Sequence, residues 1–183
     1  MIFAETPLAG AFVVSPEPAS DARGLFARMF CAGTFAERGL NPRLEQISTS
    51  FNARAGTLRG LHLQRPPHAE AKLVRVTAGA IFDVIVDLRE GSPTFGRWFG
   101  TRLDAVARIQ LYIPEGFAHG FQTLSDRAEI AYHISTAYVP EAQDGVRWDD
   151  PDLAIAWPDP DAAIFSDRDR ALPWLAEFRP IAC

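Results

Sequence analysis

Residues 80–88, Ala-Ile-Phe-Asp-Val-Ile-Val-Asp-Leu, constrain the fold most: a short run rich in Val, Ile and Phe, set between Gly79 and Gly91. Such a run reads as a β-strand, in which neighbouring side chains fall on opposite faces. Phe82, Val84, Val86 and Leu88 share one face, and Ile81, Asp83, Ile85 and Asp87 share the other. Acid on a face shared with isoleucine suggests a sheet that borders a polar cavity. Residues 58–64 repeat the pattern, with Leu61 and Leu63 on one side and His62 and Gln64 on the other. Segments 72–76, 109–113 and 130–135 complete the set. The 14 Pro and 13 Gly, with only 2 Met, favour many short strands and tight turns over a helical bundle. The expectation is an all-β chain, closed or double-sheeted and antiparallel: a jelly roll or barrel. One short peripheral helix is expected at 34–38, where Thr34 and Glu37 have capping-box spacing and Gly39 can supply a left-handed stop. The proline-rich pieces at 15–18, 65–68 and 157–161 read as loops.

The 183 residues contain no repeat, low-complexity tract or charged linker, so a single domain over 1–183 is expected. Net charge is −5, which argues against nucleic acid or an anionic membrane as partner. The charge is uneven: residues 1–75 carry 9 basic and 6 acidic groups, residues 76–183 carry 9 and 17. An anion site in the first half is therefore open. Of 18 basic residues only Lys72 is a lysine. Cys31 and Cys183 are too few for a secreted disulfide framework. The start, Met1-Ile2-Phe3-Ala4-Glu5, lacks the pattern of a signal peptide. No stretch approaches the roughly 20 apolar residues of a membrane span. A cytoplasmic location is expected.

Two segments carry candidate chemistry: Gly56-Thr57-Leu58-Arg59-Gly60-Leu61-His62-Leu63-Gln64 and Pro114-Glu115-Gly116-Phe117-Ala118-His119-Gly120. Together they resemble the two motifs of the cupin jelly roll, and imply a cupin-type antiparallel barrel. Metal-binding cupins continue the first motif as His-x-His followed by Glu. Here Gln64 replaces the second His, an amide being a poor transition-metal ligand, and Glu70 lies further along than usual. No metal and no cofactor are expected. A metal-dependent cupin oxygenase using His62, His119 and Glu70 is the competing reading.

The resemblance narrows with further runs: Ala71-Lys72-Leu73-Val74-Arg75-Val76, Asp83 to Arg89, Gly91-Ser92-Pro93-Thr94-Phe95-Gly96, Trp148-Asp149-Asp150-Pro151 and Ser166-Asp167-Arg168-Asp169. In this order the chain, from about Arg23 to Asp169, looks like the dTDP-4-dehydrorhamnose 3,5-epimerase family. That resemblance implies a metal-free barrel, a homodimer, and a nucleotide-linked 4-keto-6-deoxy sugar as substrate. A ketone at C4 acidifies the hydrogens at C3 and C5. Epimerisation removes one and returns it from the opposite face, which needs a base, an acid facing it, and positive charge near the enolate oxygen.

By resemblance His62 is the base, Asp169 its carboxylate partner, Tyr132 the proton donor and Lys72 the cation at the enolate. Read without the motif, each has a plainer role: core histidine, surface acid, core tyrosine, solvated lysine. Arg59 and His119 match positions that contact the diphosphate or sugar. Arg23 matches an arginine that the family delivers across its dimer interface. Tyr138 and Phe26 are placed to pack on the nucleoside, or are ordinary core aromatics. An N-terminal segment rich in phenylalanine (Phe3, Phe12, Phe26, Phe30, Phe35) could supply apolar surface to a partner.

Four further substrate-binding positions carry or adjoin departures from the family. Arg28 stands where the family usually has Glu; Gln46-Ile47-Ser48-Thr49 replaces Gln-Asp-Asn; Gln143 replaces Glu and Arg168 replaces Lys. These changes touch nucleotide reading rather than proton transfer, so another nucleotide carrier, or epimerisation at one carbon, stays open. A 3,4-ketoisomerase and a non-catalytic sugar-nucleotide-binding barrel are the remaining alternatives.

Overall fold

The computed structural model describes residues 1–182; Cys183 lies outside the described residues. Strands β1 (Ile2–Glu5) and β2 (Phe12–Ser15) are followed by a hairpin of β3 (Ala19–Asp21) and β4 (Gly24–Phe26), then by a short helix α1 (Ala32–Ala36). Eight strands follow: β5 (Gln46–Asn52), β6 (Leu58–Gln64), β7 (Lys72–Ala78), β8 (Ala80–Asp87), β9 (Trp98–Asp104), β10 (Gln110–Ile113), β11 (Phe117–Thr123) and β12 (Ala128–Ile134). A last strand, β13 (Gln143–Gly145), precedes helix α2 (Asp167–Arg170). The strands form two antiparallel sheets, β1-β2-β10-β7-β12-β5 and β13-β6-β11-β8-β9, the jelly roll that alternation and turns led us to expect. No helix among the described residues is long and apolar enough to cross a membrane.

The two faces of β8 go to two different cores. Ile81 and Ile85 enter the interior between the sheets, with Val74, Val76, Leu111, Ile130 and Phe121. Val84, Val86 and Leu88 pack on the other side, beneath Trp148, Leu153, Trp157, Phe178 and Ile181. The C-terminal segment therefore covers the outside of the smaller sheet. A third cluster joins Val14, Phe35, Leu40, Leu73 and Tyr112 with Phe3, Phe12 and Phe30. Of the five phenylalanines considered for a partner, Phe35 is buried in this cluster, Phe3, Phe12 and Phe30 pack against it partly buried, and Phe26 is 78% exposed.

Local expectations hold with shifted ends. The helix starts earlier than 34–38: Cys31, not Thr34, is its N-cap, and no side chain caps it. Thr34 lies inside the first turn rather than at the N-cap, so the Thr34–Glu37 spacing is not a capping box. Gly39 does take a left-handed conformation, with φ of 70°. Strand β5 was not visible in the sequence because Gln-Ile-Ser-Thr-Ser-Phe-Asn is mostly polar; it pairs along its whole length with β12.

One close approach explains two motif glycines. A Cβ on Gly60 would lie 2.5 Å from Cα of Gly120, and one on Gly120 would lie 2.6 Å from the Arg59 carbonyl oxygen. Gly60 also takes a φ of 128°, open mainly to glycine. Here the pairing of β11 with β6 shifts register, and Arg59 and His62, an odd step apart, line the same cavity.

The end of β8 is held by Asp87. Its buried carboxylate accepts from Nε and Nη2 of Arg89 at 2.9 and 2.8 Å, and from the hydroxyls of Ser92 and Thr94, both at 2.6 Å. Burial alone would raise this carboxyl, but the bonds outweigh it and pull its pKa down to about 2.

Candidate active site

Alternation along the inner strands decides which side chains meet. On β5, Gln46, Ser48 and Ser50 point inward; on β7, Lys72; on β12, Tyr132. From the smaller sheet come Arg59 and His62 on β6, His119 on β11 and Gln143 on β13. Helix α2 adds Arg168 and Asp169. Together they line one cavity of about 620 Å³, within the usual range for small-molecule sites.

Nε2 of His62 lies 2.6 Å from Oδ1 of Asp169. The bond joins residues 107 apart, because α2 comes back over β6. Ser166, the N-cap of α2, accepts from the backbone N–H of Asp169 at 3.2 Å. Burial alone would raise the Asp169 carboxyl; hydrogen bonds from His62 and Ser166 outweigh it and hold it below its usual value. An ionised carboxylate only accepts, so Nε2 carries the proton and Nδ1 of a neutral His62 keeps its lone pair.

A second pair has the same construction. Nε2 of His119 lies 2.7 Å from Oδ1 of Asp83, and both side chains are buried. His62 and His119 are direct cross-strand partners. On the facing sheet the Tyr132 ring meets that of His119 edge-on, 6.1 Å between centroids. Burial first, and the Asp83 charge second, push the Tyr132 phenol well above its ordinary value, with only partial relief from Arg59 and Ser50. Tyr132 therefore stays protonated at neutral pH.

Lys72 is buried among these groups. Its ammonium pairs with Oε1 of Glu70 at 2.9 Å and donates to the His62 carbonyl at 3.3 Å. Glu70, weighed in the sequence as a metal ligand, serves instead as the counter-ion of the only lysine. Arg59 donates through Nε to Oδ1 of Asn52 at 2.8 Å, which sets its direction into the cavity.

Gln64, at the position of a second metal-ligand histidine, ties down the cavity mouth. Its Nε2 donates to the carbonyls of His68 at 3.1 Å and Ala137 at 3.2 Å, and its Oε1 accepts from the Val139 N–H at 2.6 Å. Tyr138 lies between the two mouth residues so held. Its N–H donates to Oε1 of Gln46 at 2.8 Å, and its hydroxyl to Oε1 of Gln143 at 2.6 Å. Tyr138 is half exposed, so the core-aromatic alternative fails for it.

Three expected residues stand apart. Arg23, Phe26 and Arg28 do not line the cavity. Arg23 and Phe26 lie on the β3–β4 hairpin, where Arg23, 90% exposed at its side chain, pairs with Asp21 at 2.6 Å. Phe26 is exposed rather than core, and Arg28 is exposed just beyond it. Ser48, Ser50 and the acceptor Asn52 were missed as site residues. A period of two from Gln46 would have reached them only if this mostly polar stretch had been readable as a strand.

A profile of the dTDP-4-dehydrorhamnose 3,5-epimerase family matches residues 5–177. The dTDP-4-dehydrorhamnose 3,5-epimerase of Methanothermobacter thermautotrophicus is 47% identical over 92% of this chain and 91% of its own length. The dTDP-4-dehydrorhamnose 3-epimerase of Streptomyces niveus is 43% identical over 93% and 82%. Among solved structures, the dTDP-6-deoxy-D-glucose-3,5-epimerase of Legionella pneumophila, in complex with dTDP-4-keto-L-rhamnose, superposes with a TM-score of 0.92 at 37% identity, covering 100% of this chain and 98% of that one. With the profile spanning nearly every residue and the two histidine–aspartate pairs lodged between the sheets of the same barrel, the chain belongs to the dTDP-4-dehydrorhamnose 3,5-epimerase family.

Proposed function

We propose that this chain epimerises a dTDP-linked 4-keto-6-deoxy sugar at C3, C5 or both, by proton removal beside the ketone and return from the other face. The observation that carries this reading is the placement of the His62–Asp169 pair and the protonated Tyr132 on opposite walls of one cavity, with Lys72 beside them. A base and an acid facing each other are what inversion at a carbon needs; simple binding needs neither.

Nδ1 of His62 takes the C–H proton, and Asp169 holds the ring and offsets the imidazolium that forms. Negative charge then gathers on the C4 oxygen. Lys72 has three N–H donors; two are engaged by Glu70 and the His62 carbonyl, and the third meets that oxygen. Tyr132 delivers a proton to the opposite face of the carbon. Arg59 meets the diphosphate, and Tyr138, braced by Gln46 and Gln143, packs on the nucleoside.

The working unit on this reading is a homodimer. The β3–β4 hairpin carries Arg23 and Phe26 into solvent with little of this chain around them, which suits residues that complete the cavity of a second copy. The enzyme acts in the cytoplasm.

The test is exchange in deuterated water with dTDP-, GDP- and CDP-linked 4-keto-6-deoxy sugars. Deuterium should enter C3, C5 or both of the dTDP sugar, with an inverted product. No exchange with any of the three would refute the reading, and a displaced carbonyl in the product would mark a ketoisomerase.

A further inference from the structure

Asp83 meets no substrate atom and moves no proton in the mechanism above, yet its setting is costly. It is fully buried on the β8 face that carries Ile81 and Ile85 into the core. Its Oδ1 meets His119, while Oδ2 is buried with no hydrogen-bond partner. A half-partnered carboxyl in an apolar core is disfavoured unless it does something. If pairing alone mattered, two apolar side chains of similar volume would serve as well or better.

His119 shows what that something is. Its ring lines the cavity, next to His62 across the strand pair. Nε2 is occupied by Asp83, so Nδ1 is its one uncommitted polar atom. The charged and titratable groups around it are Asp83 on β8, His62 and Arg59 on β6, Lys72 on β7, Tyr132 on β12 and Asp169 on α2. No side chain of the last five hydrogen-bonds the His119 ring within the described residues.

Resting on the epimerase reading above, we propose that Asp83 is a positioning residue: by accepting from Nε2 of His119 it fixes that nitrogen as the protonated one, and leaves Nδ1 as the acceptor for a hydroxyl of the bound hexose. The ring is thereby held in one tautomer before substrate arrives, as buried carboxylates do for histidines in other sites. A sugar hydroxyl is the matching partner, since a neutral ring so held offers a lone pair and no proton.

The tautomer is read directly from 15N shifts of His119 in the wild-type protein, free and bound to a dTDP-hexose with a hydroxyl in place of the C4 ketone. The expected result is protonated Nε2 and lone-pair Nδ1 in the free protein, with the Nδ1 signal moving on binding. A neutral ring protonated at Nδ1, or an Nδ1 signal that ignores the ligand, overturns the proposal. Asp83→Asn keeps the volume but can turn an amide N–H toward Nε2. A folded variant should show an altered His119 pattern with His62 unchanged, and kcat/KM lower by about 10²-fold. Wild-type kcat/KM or an unchanged His119 pattern in that variant also overturns it. If Asp83→Asn does not fold, the two wild-type spectra decide alone. Should the wild-type protein lack epimerase activity, the functional reading fails while the tautomer measurement still reports on Asp83.

Discussion

At the scale of the residue, the two facing walls make separable predictions. His62→Ala should lower kcat on the order of 10²–10⁴-fold, measured by product formation. Tyr132→Phe should behave differently: the base can still remove a proton and return deuterium to the same face. Exchange at carbon should therefore outlast net inversion, and equal loss of both would contradict the assignment. Because burial and Asp83 raise the Tyr132 phenol, any loss of exchange on the alkaline side below pH 10 should be the same in the wild type and in Tyr132→Phe. The two histidines also differ in what they leave behind. His119→Phe strands Asp83 without a partner, whereas His62→Phe leaves Asp169 its contacts with Ser166. The first should destabilise the fold by about 3 kcal/mol in denaturant melts, and the second by less. Much of this site was legible in the sequence. Alternation put His62 opposite Leu61 and Leu63, and the leucines do go to the outer core. The His62–Asp169 pairing was expected from the resemblance, but the Asp83–His119 pairing was not legible, because those two are 36 residues apart and only the β8–β11 register joins them. Nor was the inward turn of Arg59, which breaks a strict period of two at Gly60.

At the scale of the element, Gln64 belongs to β6 yet acts on the mouth segments. Gln64→Glu removes both N–H donations and sets a carboxylate against two carbonyls, so the stretch bearing Tyr138 should loosen. KM should rise about tenfold with kcat little changed, as expected for lost binding rather than lost chemistry. A fall in kcat alone would assign Gln64 elsewhere. The turn after β8 predicts an acid limb of stability. Asp87 ionises near pH 2 in the fold against an ordinary value of 3.8, so its bonds contribute fully above about pH 4 and are lost as pH falls toward 2. The contribution is about 2 kcal/mol, and Asp87→Asn should flatten the acid side of a stability–pH curve. Among the elements, β6 and β8 could be read from residue pattern alone because each sets an apolar face against a mixed one. β5 could not. Its inward residues are polar since they face the cavity, and its outward Ile47 and Phe51 are exposed.

At the scale of the whole molecule, a shared site in a homodimer can be tested by mixing defective subunits. Arg23→Ala and His62→Ala each damage both sites of their own dimer. In a mixed dimer one site inherits both defects and the other neither. A one-to-one mixture should recover up to about a quarter of wild-type activity after subunit exchange. No recovery between subunits shown to exchange would place Arg23 outside the site. The sequence drew attention to Phe3, Phe12, Phe30 and Phe35 as partner surface, because composition cannot tell an apolar face that meets another chain from one that meets its own. Within one chain these rings cluster with Tyr112, Phe35 fully buried and Phe3, Phe12 and Phe30 partly so. The covering of the smaller sheet by Trp148, Trp157 and Phe178 has a consequence for timing. Every barrel strand, β13 included, is translated before that cover and before Asp169. A nascent chain halted after β12 would hold a base with no partner and an uncovered apolar sheet face, prone to association. The C-terminal segment that covers the barrel also carries Asp169 and so completes the His62–Asp169 pair. Premature termination would thus leave a sticky, idle protein rather than a half-competent enzyme that releases partly processed sugar.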